Sequence, residues 1–172
     1  MLDCVREVRL APLDPGRDAH LVSAWMRAPH VARWWGDPVK ALGEVLERPN
    51  RGGDALIIAD DVPVGYIRWQ TPTRSELDEA GLQEVPDDRT MDIDIAIGES
   101  DNVGLGVGPR AIGLLVRDLG GDSSLRTIIL ATSVDNLVAI RAYEKAGFER
   151  QRRFDDPECG ECWLLARDVR PV

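Results

Sequence analysis

The chain is short of aromatic side chains, cysteine, histidine and positive charge, and each shortage narrows what it does. Aromatic residues are 5% of the 172, and there are 2 histidines. No run of about 18 apolar residues is available to span a bilayer. The opening Met1-Leu2-Asp3-Cys4-Val5-Arg6 also lacks the basic-then-apolar layout of a secretory signal, so no membrane partner and a cytoplasmic location are expected. Cys4, Cys159 and Cys162 are an odd set in a chain without secretory features, which fits reduced thiols. Cys159 and Cys162 form a lone CxxC, and tetrahedral zinc needs further ligands that His20 and His30 are not spaced to supply, so no metal is expected. Against 30 Asp and Glu stand 21 Lys and Arg, a net charge of -9. That balance opposes a nucleic-acid binder held by phosphate contacts and suits a cationic partner.

What is present is an ordinary globular composition, 44% hydrophobic and 30% charged, at a length that fits one domain over 1–172. A strand around Val5, Val8 and Leu10 ends at Pro12 and Pro15. A helix follows, with Asp14 or Asp18 as cap and Leu21, Trp25 and Ala28 at helical spacing before Pro29. Val39, Leu42, Val45 and Leu46 mark a second amphipathic segment. Ala55–Ala59 and Val64–Trp69, separated by Asp60-Asp61-Val62-Pro63, read as a hairpin. Thr71 to Arg89 is polar and reads as a long surface loop, its Glu76, Asp78, Glu79, Glu84, Asp87 and Asp88 adding negative potential. Then come a strand from Met91 to Ile97, a glycine cluster, a helix to Leu119, a strand from Thr127 to Ala131 and a helix from Asn136 to Ala146. Strands around Phe148–Phe154 and Cys162–Arg167 close the chain. The order implies a mixed α/β fold with helices packed on a largely antiparallel sheet.

Gly104-Leu105-Gly106-Val107-Gly108 joins a strand to a helix. Such a turn aims backbone N–H groups and the positive helix end at one point, an anion site suited to phosphate. Pro109-Arg110 stands where a P-loop needs Lys-Ser/Thr, so that motif is excluded. In the preceding strand, period-2 alternation puts Met91, Ile93, Ile95 and Ile97 on the core face and Asp92, Asp94 and Ala96 on the other. Two carboxylates on one face favour a raised pKa and a proton acceptor. Downstream, Asn136 and Tyr143 lie nearly two helical turns apart on one face, with small Ala139 between them leaving room for a thin ligand arm.

The stretch N-x-x-A-x-x-x-Y-x-x-x-G-F from Asn136 to Phe148 resembles the GNAT superfamily of acetyl-CoA-dependent N-acetyltransferases. The early segment Trp25-x4-His30-Val31-x2-Trp34-Trp35-Gly36, with Asp92 twelve residues before Gly104, is similar to the aminoglycoside 6'-N-acetyltransferases. The resemblance implies a twisted, largely antiparallel sheet of about seven strands flanked by about four or five helices. It implies that acetyl-CoA is held by backbone of Ile95, Ala96 and Ile97, by Gly104, Leu105, Gly106, Val107 and Gly108, and by Asn136 and Ala139. Asp92 would take or relay the proton of a polycationic amine, and Tyr143 would protonate the departing thiolate. Trp25, Trp34, Trp35, Asp92 and Asp94 would bind the amino sugar, one of the adjacent tryptophans serving instead as a core anchor; His30 reads as structural. The pattern departs at Asp101, where the superfamily usually has Gln or Arg and Arg110 is the substitute, and at Ala131-Thr132-Ser133, where some aminoglycoside enzymes carry another acid. Two alternatives share parts of the pattern: acetylation of another amine, a siderophore lysine derivative or a ribosomal-protein N-terminus, and a non-catalytic acyl-CoA-binding module. Monomer and homodimer both stay open.

Overall fold

A computed structural model of the chain describes residues 6–47 and 49–169. Its seven strands form one sheet, in the spatial order β1 (Val8–Pro12), β2 (Gly53–Ala59), β3 (Val62–Gln70), β4 (Thr90–Ile97), β5 (Thr127–Ser133), β7 (Gly160–Asp168), β6 (Glu149–Asp156). Every neighbouring pair is antiparallel except β4 and β5. Those two match Thr90 with Thr127, Met91 with Ile128 and Asp92 with Ile129, and there the pairing stops. Both strands continue, β4 to Ile97 and β5 to Ser133, so the middle of the sheet opens into a wedge.

Helices α5 (Val107–Leu119) and α6 (Leu137–Lys145) cover one face. Their Ala111, Ile112, Leu115 and Tyr143 pack with Ile57, Ile67, Ile93, Ile128 and Leu130 in the main core. The opposite face is covered at the β1–β4 end by α1 (Pro15–Arg27), α2 (Pro29–Trp35) and α3 (Pro38–Leu46), whose Val22, Met26, Val31, Ala41 and Val45 meet Leu56, Ile58, Tyr66 and Ala96. Each of these three helices starts with proline in its first turn, where a missing N–H costs nothing. Asp14 and Asp37 cap α1 and α3; Asp18, the other candidate, lies inside α1.

The long polar segment is not a surface loop. It contains α4 (Arg74–Glu79), started by a capping box in which Thr73 and Glu76 satisfy each other's backbone N–H groups. Leu77, Leu82 and Val85 then bury against Ile129, Phe154, Cys162 and Leu164, and Arg74 donates to the carbonyls of Val85 and Leu82. With α2 and α4 the described residues hold six α-helices, more than the four or five expected, while the seven strands agree. The expected strand residue Val5 lies outside the described residues, as does Cys4. No helix among the described residues is long and apolar enough to cross a membrane.

If α4 is anchored through Leu77, Leu77→Ala should lower the unfolding free energy by about 2–5 kcal/mol in urea denaturation. A loss below about 1 kcal/mol, the scale of a surface change, would mean that the segment is peripheral.

Candidate active site

Alternation in β4 divides its side chains as expected. Met91 and Ile93 enter the main core, whereas Ala96 is buried beneath α1 and α2, and Asp92 and Asp94 share that second face. Between α3 and α4 the covering of this face is incomplete, leaving a cavity of about 560 Å³ above β3, β4 and β5. That is room for a drug-sized ligand. Six carboxylates line it, Glu44 from α3, Glu47 just after it, Glu76 from α4, Asp92 and Asp94 from β4, and Asp156 from β6. Arg68 of β3 is the one basic side chain in the lining.

Crowded carboxylates around one hollow resist ionisation. Burial lifts the Asp92 carboxyl well above the usual range, and the charges of Asp94 and Glu76 add to this, while a hydrogen bond from the Ile93 backbone opposes it. Asp94 is pushed up to about 6 by burial and by Glu44 and Glu76, against the pull of the Arg68 guanidinium. Asp94 is exposed to solvent where it lines the open hollow, and the protein packed around it still pushes its carboxyl upward.

The wedge connects this cavity to the other face. Leu130, a main-core residue on β5, also lines the cavity. Tyr143 of α6 is 8% exposed, and burial, with a smaller push from the Asp94 charge, raises its phenol so that it remains O–H at neutral pH. Beyond Asp92 the β5-facing backbone groups of β4, around Ile95, Ala96 and Ile97, have no strand partner. Nearby, Gly104 and Gly106 adopt φ of 80° and 79°, conformations that favour glycine, and lead directly into the thirteen-residue α5. Pro109 sits in its first turn, and the N–H groups there point outward without a capping side chain.

Several expected site residues are placed differently. Trp25 is not at the cavity: it is 2% exposed in the second core, its Nε1–H donates to Glu99 Oε1 at 2.8 Å, and its ring fills the space a Cβ on Gly98 would take. Trp34 and Trp35 split, as adjacent helical residues must. Trp35 lines the cavity and meets Tyr66 edge-on at 6.5 Å between centroids, whereas Trp34 lies away from it beneath the Arg33 guanidinium. His30 Nε2 is 2.9 Å from the Ile97 carbonyl, a structural link from α2 to β4. Asn136 caps α6 through its Oδ1, which accepts from the Ala139 N–H, and its amide donates to Thr132 Oγ1, so both ends of that side chain are engaged. Arg110 donates to the Arg6 carbonyl at 2.8 Å, and Asp101 is exposed. Cys159 is exposed and Cys162 buried, both as free thiols, and no group of three or more metal-ligating side chains occurs among the described residues.

Glu44, Tyr66, Arg68 and Asp156 escaped sequence reasoning. Arg68 carried a signal, since it is the one charged residue in the apolar run from Val64 to Trp69.

The mostly antiparallel sheet parts at its one parallel pair, and the glycine turn leads into α5 beside the gap. The sequence pattern of the family described as "Acetyltransferase (GNAT) domain" matches residues 14–156, and the chain belongs to that family. It is 27% identical over 150 residues to the Aminoglycoside N(6')-acetyltransferase type 1 of Klebsiella pneumoniae, covering 82% of this chain and 74% of that one. Over 76 residues it is 37% identical to the Kanamycin resistance protein of Rhizobium radiobacter, 44% of this chain and 70% of that one. Its fold matches the crystal structure of aminoglycoside acetyltransferase AAC(6')-Ib in complex with coenzyme A and kanamycin, with TM-score 0.80, 24% identity and coverage of 94% and 95%.

The raised Asp92 and Asp94 carboxyls bind protons more readily folded than unfolded. Their contribution to stability is therefore greatest where both are protonated, and that of Asp94 declines as pH rises from the ordinary 3.8 through about 6. Asp94→Asn should raise the melting temperature at about pH 8, with a smaller gain at about pH 4. An equal gain at both values would contradict the charged-floor description.

Proposed function

We propose that the chain transfers an acetyl group from acetyl-CoA to a primary amine of an aminoglycoside, at the 6' position, conferring antibiotic resistance. The observation that carries this reading is the six-carboxylate cavity opening onto the β4–β5 wedge. Ammonium groups of a polycation are drawn into such a hollow, and Trp35 offers a flat apolar wall to a sugar ring. Acetyl-CoA, when bound, supplies the acetyl thioester.

The residues present fit that cosubstrate. Its pyrophosphate would rest on the backbone of Gly104, Leu105, Gly106, Val107 and Gly108 at the start of α5, where helix-end N–H groups favour anions. The thin arm would enter the wedge along Ile95, Ala96 and Ile97, passing Asn136 and Ala139. Backbone N–H groups of β4 would polarise the thioester carbonyl. Asp92 would take or relay the proton that an ammonium must lose before its nitrogen attacks. Tyr143 would give its phenolic proton to the departing sulfur, a duty consistent with a phenol held firmly in its O–H form. No strand acid stands at Ala131, and Asp156 and Glu44 supply negative charge to the same cavity from other elements.

A thiol-release assay with acetyl-CoA tests the reading, using kanamycin and tobramycin beside spermidine, a lysine derivative and an N-terminal peptide. Turnover on the aminoglycosides is expected, with kcat reduced about 10²- to 10⁴-fold in Asp92→Asn and in Tyr143→Phe. Turnover confined to the lysine derivative or peptide would overturn the substrate, and CoA binding without turnover on any amine would overturn the enzyme.

A further inference from the structure

The two carboxylates on the cavity floor are not equivalent, and the strand beside them shows why. In the β3–β4 register Asp94 stands directly opposite Arg68, while Asp92 stands opposite the neutral Gln70. Directly opposed side chains on adjacent strands have Cβ atoms about 5 Å apart. Arg68 is 8% exposed and held in place: one guanidinium nitrogen donates to the Glu44 carbonyl, and another to Gln70 Oε1 at 3.2 Å. Its Nε–H has no hydrogen-bond partner, and neither does the wholly buried Tyr66 hydroxyl close by; the two do not meet hydrogen-bond geometry with each other. On the far side of Arg68 the register places Asp54 of β2, so one cation lies between two carboxylates in a row across three strands.

We propose that Arg68 is a positioning residue that assigns the single negative charge of the Asp92–Asp94 pair to Asp94 and leaves the proton on Asp92. Two carboxyls on one strand face, about 7 Å apart along the backbone and ringed by four further acids, do not both ionise cheaply. The fixed cation opposite one of them decides which does. The other charged and titratable groups around Asp94 do not favour it: Glu44 from α3 and Glu76 from α4 oppose its charge, Glu47 and Asp156 add negative potential from the cavity walls, and Tyr66 and Tyr143 are neutral phenols. Arg68 alone favours the anion, and it acts most strongly on its cross-strand partner.

This gives the proton path a direction, on the amine-acetylation reading above. A substrate ammonium passes its N–H proton to an Asp92 oxygen as Asp92 passes its own proton, directly or through one water, to the Asp94 carboxylate. The amine keeps the electron pair and becomes neutral, Asp92 ends as it began, and Asp94 becomes a neutral carboxyl. The same fixed cation also disfavours a second positive charge at that end of the cavity, which eases proton loss from the ammonium.

The test requires no substrate, so it stands apart from the question of which amine is acetylated. Carbon-13 NMR of the aspartate carboxyls in the free, full-length protein is followed against pH, with Asp92→Asn and Asp94→Asn assigning the signals. Asp94 should ionise at lower pH than Asp92 in the wild type. In Arg68→Met the Asp94 midpoint should rise by at least about one unit, and Arg68→Lys, which keeps a charge, should restore most of the difference. Ionisation of Asp92 before Asp94 in the wild type would overturn the proposal, even if Arg68→Met fails to fold. So would an Arg68→Met variant that folds and leaves the Asp94 midpoint unmoved.

Discussion

Strands β4 and β5 are held together over three residue pairs and then part, though each continues for several residues more. Backbone N–H and C=O groups left open in the middle of a sheet are costly unless something meets them, so a gap of this kind needs compensation. The fold supplies part of it. His30 reaches the Ile97 carbonyl from α2. What remains open lies beside the glycine turn, and a ligand arm can complete it. Cofactor entry and strand geometry are in this sense one feature.

The gap also determines where charge can be used. Helices α5 and α6 seal one face of the sheet with apolar side chains, so the carboxylates gather on the other, where α3 and α4 fail to meet. Six acids around one hollow repel one another and weaken the empty protein. Perturbed ionisation of this sort is characteristic of functional sites, where a cost in stability serves binding or proton transfer. Arg68, embedded among these acids, moderates the repulsion and breaks the symmetry between Asp92 and Asp94. Tyr143, on the opposite face, feels the Asp94 charge across the sheet.

Much of this was legible in the sequence because it depends on local pattern. Alternation in the strand from Met91 placed Asp92 and Asp94 together, and the glycine spacing identified the turn before α5. The helix from Asn136 to Ala146 was readable for the same reason, although both polar ends of Asn136 proved to be engaged within the chain. Long-range packing was not legible. Trp25 sits at the helical spacing of a core residue and is one, because Gly98 vacates the space for its ring. The capping pair Thr73 and Glu76 was present in the segment read as a loop, but acidic neighbours masked the three apolar residues that pin it down. Glu44 and Asp156 reach the cavity from elements far apart in sequence, and only tertiary packing places them there.

On the aminoglycoside reading, the acid-lined hollow presents one particular amine of a polycation to the mouth of the wedge. Determining by NMR which nitrogen is acetylated when kanamycin and acetyl-CoA are incubated with the protein tests it most directly. A single product carrying one acetyl group on the 6' amine is expected. A mixture acetylated at several amines, or unchanged kanamycin, would contradict it.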